Sequence, residues 1–68
     1  MKEIKINTEY ITLGQMLKFT AIISSGAMAK MFLAETEVIV NGDKEDRRGR
    51  KLYPGDIIEV LGQKYQVK

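Results

Sequence analysis

The spacing of apolar side chains changes once along this chain, near Thr36, and this change restricts the fold more than any other feature. Before it, Leu13, Leu17 and Ala21 recur every four residues, which is the spacing of an amphipathic helix. After it, short apolar runs are separated by turn residues, and the period falls toward the two-residue period of strands. We therefore predict two adjacent helices within residues 12–36 and only strands and turns beyond them.

The first predicted helix has a clear start. Thr12 and Gln15 form a capping box, because the Thr12 hydroxyl can accept a hydrogen bond from the Gln15 N–H while the Gln15 side chain reaches back. We expect this helix to run from about residue 13 to residue 21 or 22, with its apolar stripe facing the core.

A second helix is predicted over about residues 26–35. The run Ser24-Ser25-Gly26 interrupts the first pattern and can cap a new helix. Its buried stripe consists of Ala29, Phe32 and Leu33. The two helices should form a compact helix-turn-helix pair, but Lys30 is the only basic residue on the second helix, so this helix is a poor reader of the DNA major groove.

The second half is predicted to be β structure with two recognisable turns. Asn41-Gly42 is a strong signal for a two-residue hairpin turn, and Pro54-Gly55 fits the centre of a type II turn. The predicted strands, including one near the N-terminus, are residues 2–6, 37–40, 44–46, 57–60 and 64–67. The order β-α-α-β-β-β-β predicts an α+β domain, with two helices packed on one face of a small antiparallel sheet.

Length and composition exclude most enzyme chemistry. With 68 residues, the chain has room for one domain and a small core. It contains no cysteine and no histidine, so disulfides, thiolate metal sites and the commonest general base are missing. No pair of carboxylates is fixed by spacing, and no nucleophile has an evident base. We predict a single non-catalytic domain over residues 1–68, with no cofactor and no metal.

The sequence also bears on location. Residues 1–6 are charged and lack the apolar core of a signal peptide, and no window is apolar over the length of a membrane span. We therefore expect a cytoplasmic protein with no membrane partner. The sequence leaves the oligomeric state open.

Four basic residues fall within five positions, in the run Arg47-Arg48-Gly49-Arg50-Lys51, which is called the basic loop. Without them the chain has 11 − 4 = 7 basic residues against 9 acidic ones, so the net positive charge comes entirely from this run. Guanidinium groups match phosphate oxygens, and glycine lets a backbone approach closely, so the run predicts phosphate binding. The alternative is a solvated loop that aids solubility. All four basic side chains are expected to be solvent-exposed, because a run of like charge does not enter a core.

Three segments of the sequence resemble the S4 RNA-binding domain, which is named after a ribosomal small-subunit protein: Ser25-x-x-x-Ala29-Lys30-x-Phe32-Leu33, Val38-x-Val40-Asn41-Gly42 and Pro54-Gly55-Asp56-x-Ile58. The resemblance covers about residues 11–60. Within it, residues 12–15 and 47–56 are similar to those of the small stand-alone YaaA-type members. The resemblance implies an αL-type RNA-binding fold, with two helices packed on a small curved antiparallel sheet.

The resemblance also implies where RNA is bound. It assigns a basic contact to Lys30, although by composition Lys18 and Lys30 are ordinary surface charges. The candidate RNA-binding residues are Lys18, Ser25, Lys30, Arg47, Arg48, Arg50 and Lys51. Three positions depart from the family, and one of them is Met28, where the family often has glutamate. Gly26 replaces the arginine that often follows the serine, and Thr36 replaces a glycine, where a left-handed conformation would cost about 1 kcal/mol.

These observations predict a non-catalytic RNA-binding module that recognises structured RNA mainly through phosphate contacts. Ribosomal RNA or tRNA is the target class that the resemblance implies, and ribosomal particles are the corresponding partners. The alternative is a protein-interaction adaptor whose basic loop binds an acidic partner. Duplex DNA also stays open, because phosphate contacts alone do not separate it from RNA. Tyr53 is suited either to stack on a base or to pack in the sheet.

Overall fold

The computed structural model describes all 68 residues, which form two short helices and seven strands. The strands are β1 (Lys2–Ile4), β2 (Ile11–Thr12), β3 (Val38–Val40), β4 (Asp43–Lys44), β5 (Lys51–Leu52), β6 (Ile57–Val60) and β7 (Gln63–Val67). The helices are α1 (Leu13–Phe19) and α2 (Ala29–Glu35), and a 3₁₀ turn at Gly26–Met28 leads into α2. The predicted helices and strands occur in the predicted order, and no helix follows residue 36.

Helix α1 begins at the predicted capping box. The Gln15 N–H donates to the Thr12 hydroxyl over 3.2 Å, and the Thr12 N–H donates to the Gln15 side chain over 2.9 Å. The helix ends at Phe19, earlier than predicted, and Ala21 just beyond it takes a left-handed φ of 62° that an α-helix does not contain. Ile23, two residues further along, lies in the core and is 2% exposed.

The second helix begins differently from the prediction. Ser25 precedes the 3₁₀ turn, but its hydroxyl makes no capping hydrogen bond, so the predicted serine cap is wrong. Ala29 and Leu33 are buried as predicted, and Phe32 packs against the core. After the helix, Thr36 is extended with a φ of −129°, so the cost of a left-handed threonine does not arise.

The main sheet has five strands in the order β1-β7-β6-β3-β4. Its pairs are antiparallel except for β1 and β7 at one edge, which run parallel. A second sheet, in which β2 pairs antiparallel with β5, is not among the predicted elements. The predicted α+β class is confirmed, with two helices packed on a small, mostly antiparallel sheet.

One hydrophobic core joins the helices to the main sheet. It contains the 14 buried residues Ile4, Leu13, Met16, Leu17, Ile23, Ala29, Leu33, Val38, Val40, Leu52, Ile58, Val60, Tyr65 and Val67. Each helix contributes an apolar face, since burial of this face is the main source of helix stability in a protein. Leu13 and Leu17 of the predicted first stripe are buried, but Ala21 lies beyond the helix and is exposed, so its place in that stripe is wrong. The opposite faces, which carry Lys18 and Lys30, are left exposed to solvent.

Two tight turns of the β half are tied together by side chains. Asn41 and Gly42 have φ values of 51° and 89°, as the predicted two-residue hairpin requires. The Asn41 side chain donates to the Asp56 carboxylate over 3.0 Å and accepts from the Ile57 N–H over 2.9 Å. The hairpin turn is therefore fastened to the segment that follows Pro54-Gly55.

Replacing Gly42 with valine tests this turn. A Cβ at position 42 would meet no atom within 4 Å, so the cost of Gly42→Val arises from backbone conformation alone. We expect the free energy of unfolding to fall by about 1–2 kcal/mol, and the melting temperature in circular dichroism to fall by roughly 5–15 °C. Gly49→Val is the matched control, because Gly49 has equally open surroundings and no positive φ. An unchanged melting temperature for Gly42→Val would contradict the turn assignment.

Candidate nucleic-acid interface

The basic loop leads from β4 into β5, and its backbone is bound to the start of α1. The Leu13 N–H donates to the Arg50 carbonyl over 2.8 Å, and the Gly14 N–H donates to the Arg48 carbonyl over 2.9 Å. The first N–H groups of a helix have no partner within that helix, so the loop carbonyls satisfy two of them. The loop is therefore fixed against the body of the protein rather than extended into solvent.

Gly14 lets the basic loop and both helices meet closely. A Cβ at this position would lie 3.4 Å from the Arg48 carbonyl oxygen, 3.5 Å from the Arg48 Cβ and 3.6 Å from the Ala29 Cβ. These are contact distances, so the site has room for a methyl group and little room for a longer side chain. A glycine that lowers the helix propensity of the first turn is here part of the packing.

The carboxylate of Glu45 accepts hydrogen bonds from two side chains of the basic loop, those of Arg47 and Arg50. The Glu45 side chain is 6% exposed, and its carboxylate also accepts hydrogen bonds from the backbone N–H groups of Asp46 and Arg47. The Arg47 guanidinium donates to both carboxylate oxygens at 3.0 Å, and the Arg50 guanidinium donates to one of them at 2.8 Å. One buried carboxylate thus holds two of the four basic side chains in fixed positions.

These contacts govern the ionisation of Glu45. They lower the pKa of its carboxyl group from 4.5 to about 2. The hydrogen bond from the Arg47 side chain is the largest cause, burial acts in the opposite direction, and the hydrogen bond from Arg50 adds to the lowering. Near neutral pH the carboxylate is therefore ionised, and its charge is balanced by the two arginines.

The expectation that all four basic side chains are solvent-exposed is wrong for Arg50. The Arg47 side chain is 74% exposed, but that of Arg50 is only 32% exposed, and both are paired with Glu45. Burial of Arg50 is possible because its charge is compensated. Counting Glu45 and Asp46, residues 45–51 carry 4 − 2 = +2 formal charges. The two paired guanidinium groups still have most of their N–H donors free, since Arg47 uses two and Arg50 uses one.

The other two basic residues of the loop are not neutralised. Arg48 is exposed and takes part in no ion pair. The Lys51 ammonium lies 4.9 Å from the centre of the Tyr10 ring, in a cation–π contact. Tyr10 in turn lies beside Tyr53, with 5.7 Å between the ring centres. The loop therefore presents two unpaired cations, and one of them adjoins an aromatic pair.

A groove of about 290 Å³ separates the basic loop from the start of the second helix. It is lined by Thr12, Gly14, Gln15, Gly26, Ala29, Arg48 and Gly49. Ser25 and Lys30, which adjoin two of these residues in the chain, are exposed, and so is Lys18, one turn beyond Gly14 on α1. Lys18 and Lys30 form no ion pair. The candidate residues on the helices thus adjoin segments that line one groove together with Arg48.

Three residues that shape this surface, Glu45, Gly14 and Tyr10, are not among the predicted site residues. Glu45 was not distinguished from other surface acids, although a carboxylate two residues before an arginine run was a usable signal. Gly14 and Tyr10 are not singled out by any motif of the sequence. Gly14 and Tyr10 contact Arg48 and Tyr53, which are far away in the chain, so local pattern alone does not indicate their roles. The partners of Glu45, in contrast, are only two and five residues away.

The fold and this surface define the class of the protein. The chain matches the family model of the S4 domain over residues 4–68, and it therefore belongs to the S4 domain family, as the three sequence motifs indicated. It is similar to the "Probable ribosome maturation protein RlbA" of Bacillus subtilis (strain 168), with 59% identity over 59 residues, which span 87% of this chain and 83% of that protein. No solved structure matches it. Neither of its helices has the length and apolar character needed to cross a membrane.

Substituting Glu45 with glutamine tests its role in holding the loop. Because the pKa of Glu45 is depressed in the folded state, its contribution to stability is complete above about pH 4.5 and is lost as the pH falls to about 2. We expect Glu45→Gln to lower the free energy of unfolding at pH 7 by about 2–3 kcal/mol and to flatten its pH dependence in this window, as measured by urea denaturation.

Glu37→Gln is the control for this experiment, since Glu37 is exposed and forms no ion pair. It should change the stability by less than about 0.5 kcal/mol. If Glu45→Gln is as stable as the wild type at pH 7 and loses stability in acid to the same extent, the carboxylate does not hold the loop.

Proposed function

We propose that this chain is a non-catalytic RNA-binding module that recognises structured RNA, of the ribosomal RNA class, mainly through phosphate contacts. The proposal rests on one observation above all: the backbone of the basic loop is hydrogen-bonded to the start of α1, and Arg47, Arg48 and Lys51 are exposed on it. Membership of the S4 domain family and the name of the Bacillus subtilis relative support it. A role in ribosome maturation, exerted on ribosomal particles in the cytoplasm, is the corresponding biological setting, and tRNA is the second target class.

The fixed loop favours phosphate binding in a specific way. Free arginine side chains lose rotamer freedom when they bind, and this loss costs about 0.5–1.5 kcal/mol for each immobilised side chain. Glu45 already restricts Arg47 and Arg50 in the folded protein, so these side chains lose less rotamer freedom when they bind. Their remaining N–H donors, together with Arg48 and Lys51, can then bind phosphate oxygens with charge-assisted hydrogen bonds.

The shape of the surface favours structured RNA over base sequence as the recognised feature. Contacts from arginine and lysine to phosphates fix the position of an RNA but carry no sequence information. Each α-helix spans only 7 residues, and α2 has one basic residue, Lys30. Cations on both helices and on the loop would instead follow the spacing of phosphates along a folded RNA. Lys18, Lys30 and Ser25 are the helix contacts in this proposal.

A non-catalytic role agrees with the chemistry that the chain offers. It has no cysteine or histidine, and Glu45, the one carboxylate in the core region, is committed to two arginines. A general base needs a free lone pair within reach of a substrate proton, which Glu45 does not offer in this arrangement. The whole domain, residues 1–68, is therefore proposed to act by binding alone.

The salt dependence of RNA binding tests the proposal. Roughly 3–5 phosphate contacts should give a slope of about −2 to −4 when log K is plotted against log salt concentration. Arg48→Ala should flatten this slope by about one unit, and it should weaken binding to different structured RNAs alike. Fluorescence anisotropy at four salt concentrations, with a labelled ribosomal RNA hairpin, provides the measurement.

Arg48 is the suitable position because its side chain has no partner in the protein, so Arg48→Ala should leave the melting temperature nearly unchanged. Arg47→Ala would also expose Glu45, which mixes stability with binding. Lys64→Ala, in the β6–β7 hairpin, removes one positive charge elsewhere and should leave the slope as in the wild type. An unchanged slope for Arg48→Ala would exclude the basic loop as the site. Absence of RNA binding would favour a protein adaptor with an acidic partner.

A further inference from the structure

The two-stranded sheet places Tyr10 and Tyr53 directly opposite each other. Its register pairs Ile11 with Leu52 and Thr12 with Lys51, and one step further along the same ladder Tyr10 meets Tyr53. Side chains alternate between the two faces of a strand. Since Leu52 is fully buried, the tyrosines and Lys51 lie on the opposite, outer face. The observed contacts agree with this, because Lys51 is the diagonal neighbour of Tyr10 and its ammonium lies 4.9 Å from that ring.

The side chains of Tyr10 and Tyr53 are accessible to solvent, whereas that of Tyr65 is buried. Tyr10 is 37% exposed and Tyr53 is 42% exposed, whereas Tyr65 is 7% exposed and belongs to the core. Neither the Tyr10 hydroxyl nor the Tyr53 hydroxyl donates a hydrogen bond to another protein group, while the other side-chain hydrogen bonds of this region are well formed. Aromatic rings that are exposed side by side are characteristic of binding surfaces.

Tyr53 also lines a groove with the cations of the basic loop. This groove has a volume of about 480 Å³ and is lined by Arg47, Gly49, Arg50, Lys51 and Tyr53. The Tyr10 ring is already covered by the Lys51 ammonium and lies against Tyr53 at an interplanar angle of 46°. Tyr53 is therefore the ring that faces the charged groove, and Tyr10 braces it from the side.

We propose that Tyr53, braced by Tyr10, is a stacking site for one unpaired RNA base, and that the phosphates flanking this base are bound by Lys51 and Arg50. The proposal rests on the proposed RNA-binding function and narrows its target. Aromatic side chains next to a basic groove bind single-stranded nucleotides, because a base can stack on the ring while its backbone meets the cations. In an uninterrupted duplex the bases are stacked on one another and are closed to such a contact. The target is therefore a structured RNA with a bulged or looped-out nucleotide.

Three RNA hairpins of the same stem test this inference: one with a single bulged adenosine, one with an abasic nucleotide at the bulge, and one fully paired. The abasic hairpin keeps the backbone and its phosphates but lacks the base. We expect the wild-type protein to bind the adenosine bulge about 5- to 100-fold more tightly than the abasic bulge, which is the range expected for one stacked base. Anisotropy at four salt concentrations measures the ratio and the salt dependence of binding.

Variants of Tyr53 identify the ring. Tyr53→Leu should abolish the preference for the adenosine bulge and leave binding of the abasic hairpin within about twofold of the wild type, since the phosphate contacts remain. Tyr53→Phe should retain the preference, because stacking needs the ring and not the hydroxyl. With 2-aminopurine at the bulge, its fluorescence should change on binding to the wild type and to Tyr53→Phe, and stay unchanged with Tyr53→Leu.

Each other outcome has a definite meaning. If the wild type binds the adenosine and abasic hairpins equally, with the expected salt dependence, the stacking site is wrong and the phosphate-binding function stands. If Tyr53→Leu weakens all three hairpins equally and lowers the melting temperature, the tyrosine pair only stabilises the two-stranded sheet, and the stacking site is again wrong. If no hairpin is bound in a salt-dependent way, the proposed function itself fails.

Discussion

The ionised carboxylate of Glu45 is the interaction on which the basic surface depends. It lies directly after β4, and the Glu45 N–H donates to the Val38 carbonyl over 2.8 Å, which continues the ladder of the main sheet. A buried charge is stable only when it is paired and hydrogen-bonded, and here two arginines and two backbone N–H groups meet that condition. The carboxylate therefore joins the rigid sheet to a segment whose own charges repel one another.

The loop is fixed at its other end by a different requirement. Helix α1 has N–H groups without partners at its start, and two of them are satisfied by carbonyls of Arg48 and Arg50. The loop carbonyls thus satisfy N–H groups at the start of α1, and the Glu45 carboxylate in turn binds two arginine side chains of the loop. This arrangement lowers the positive charge of the segment, yet it determines where the remaining N–H donors point. The guanidinium groups of Arg47 and Arg50 thus have defined positions, although their charge is partly compensated.

Local sequence patterns predicted most helices and strands of the fold. They did not predict the contacts between residues that are far apart in the chain. The capping box at Thr12 and the hairpin turn at Asn41-Gly42 depend on neighbouring residues, and the structure confirms both. The pairing of β2 with β5 joins segments about forty residues apart, with only two residues in each, so no periodicity could indicate it. The site has a different reason, because the partners of Glu45 are only two and five residues away in the chain. Composition indicated the four basic residues of the loop, but the pairing of Arg47 and Arg50 with Glu45 depends on which acid the fold buries.

The contacts that the sequence does not reveal are also the contacts that assemble the surface. Pairing of β2 with β5 brings Tyr10 to Tyr53 and places Lys51 beside them. Hydrogen bonding of the loop backbone to α1 brings Arg48 to the groove that the second helix adjoins. The position of each cation is thus determined by main-chain pairing and by one buried carboxylate, not by the cation itself. The position of Arg48 therefore depends on the main chain alone, whereas the side chains of Arg47 and Arg50 depend on the Glu45 carboxylate as well.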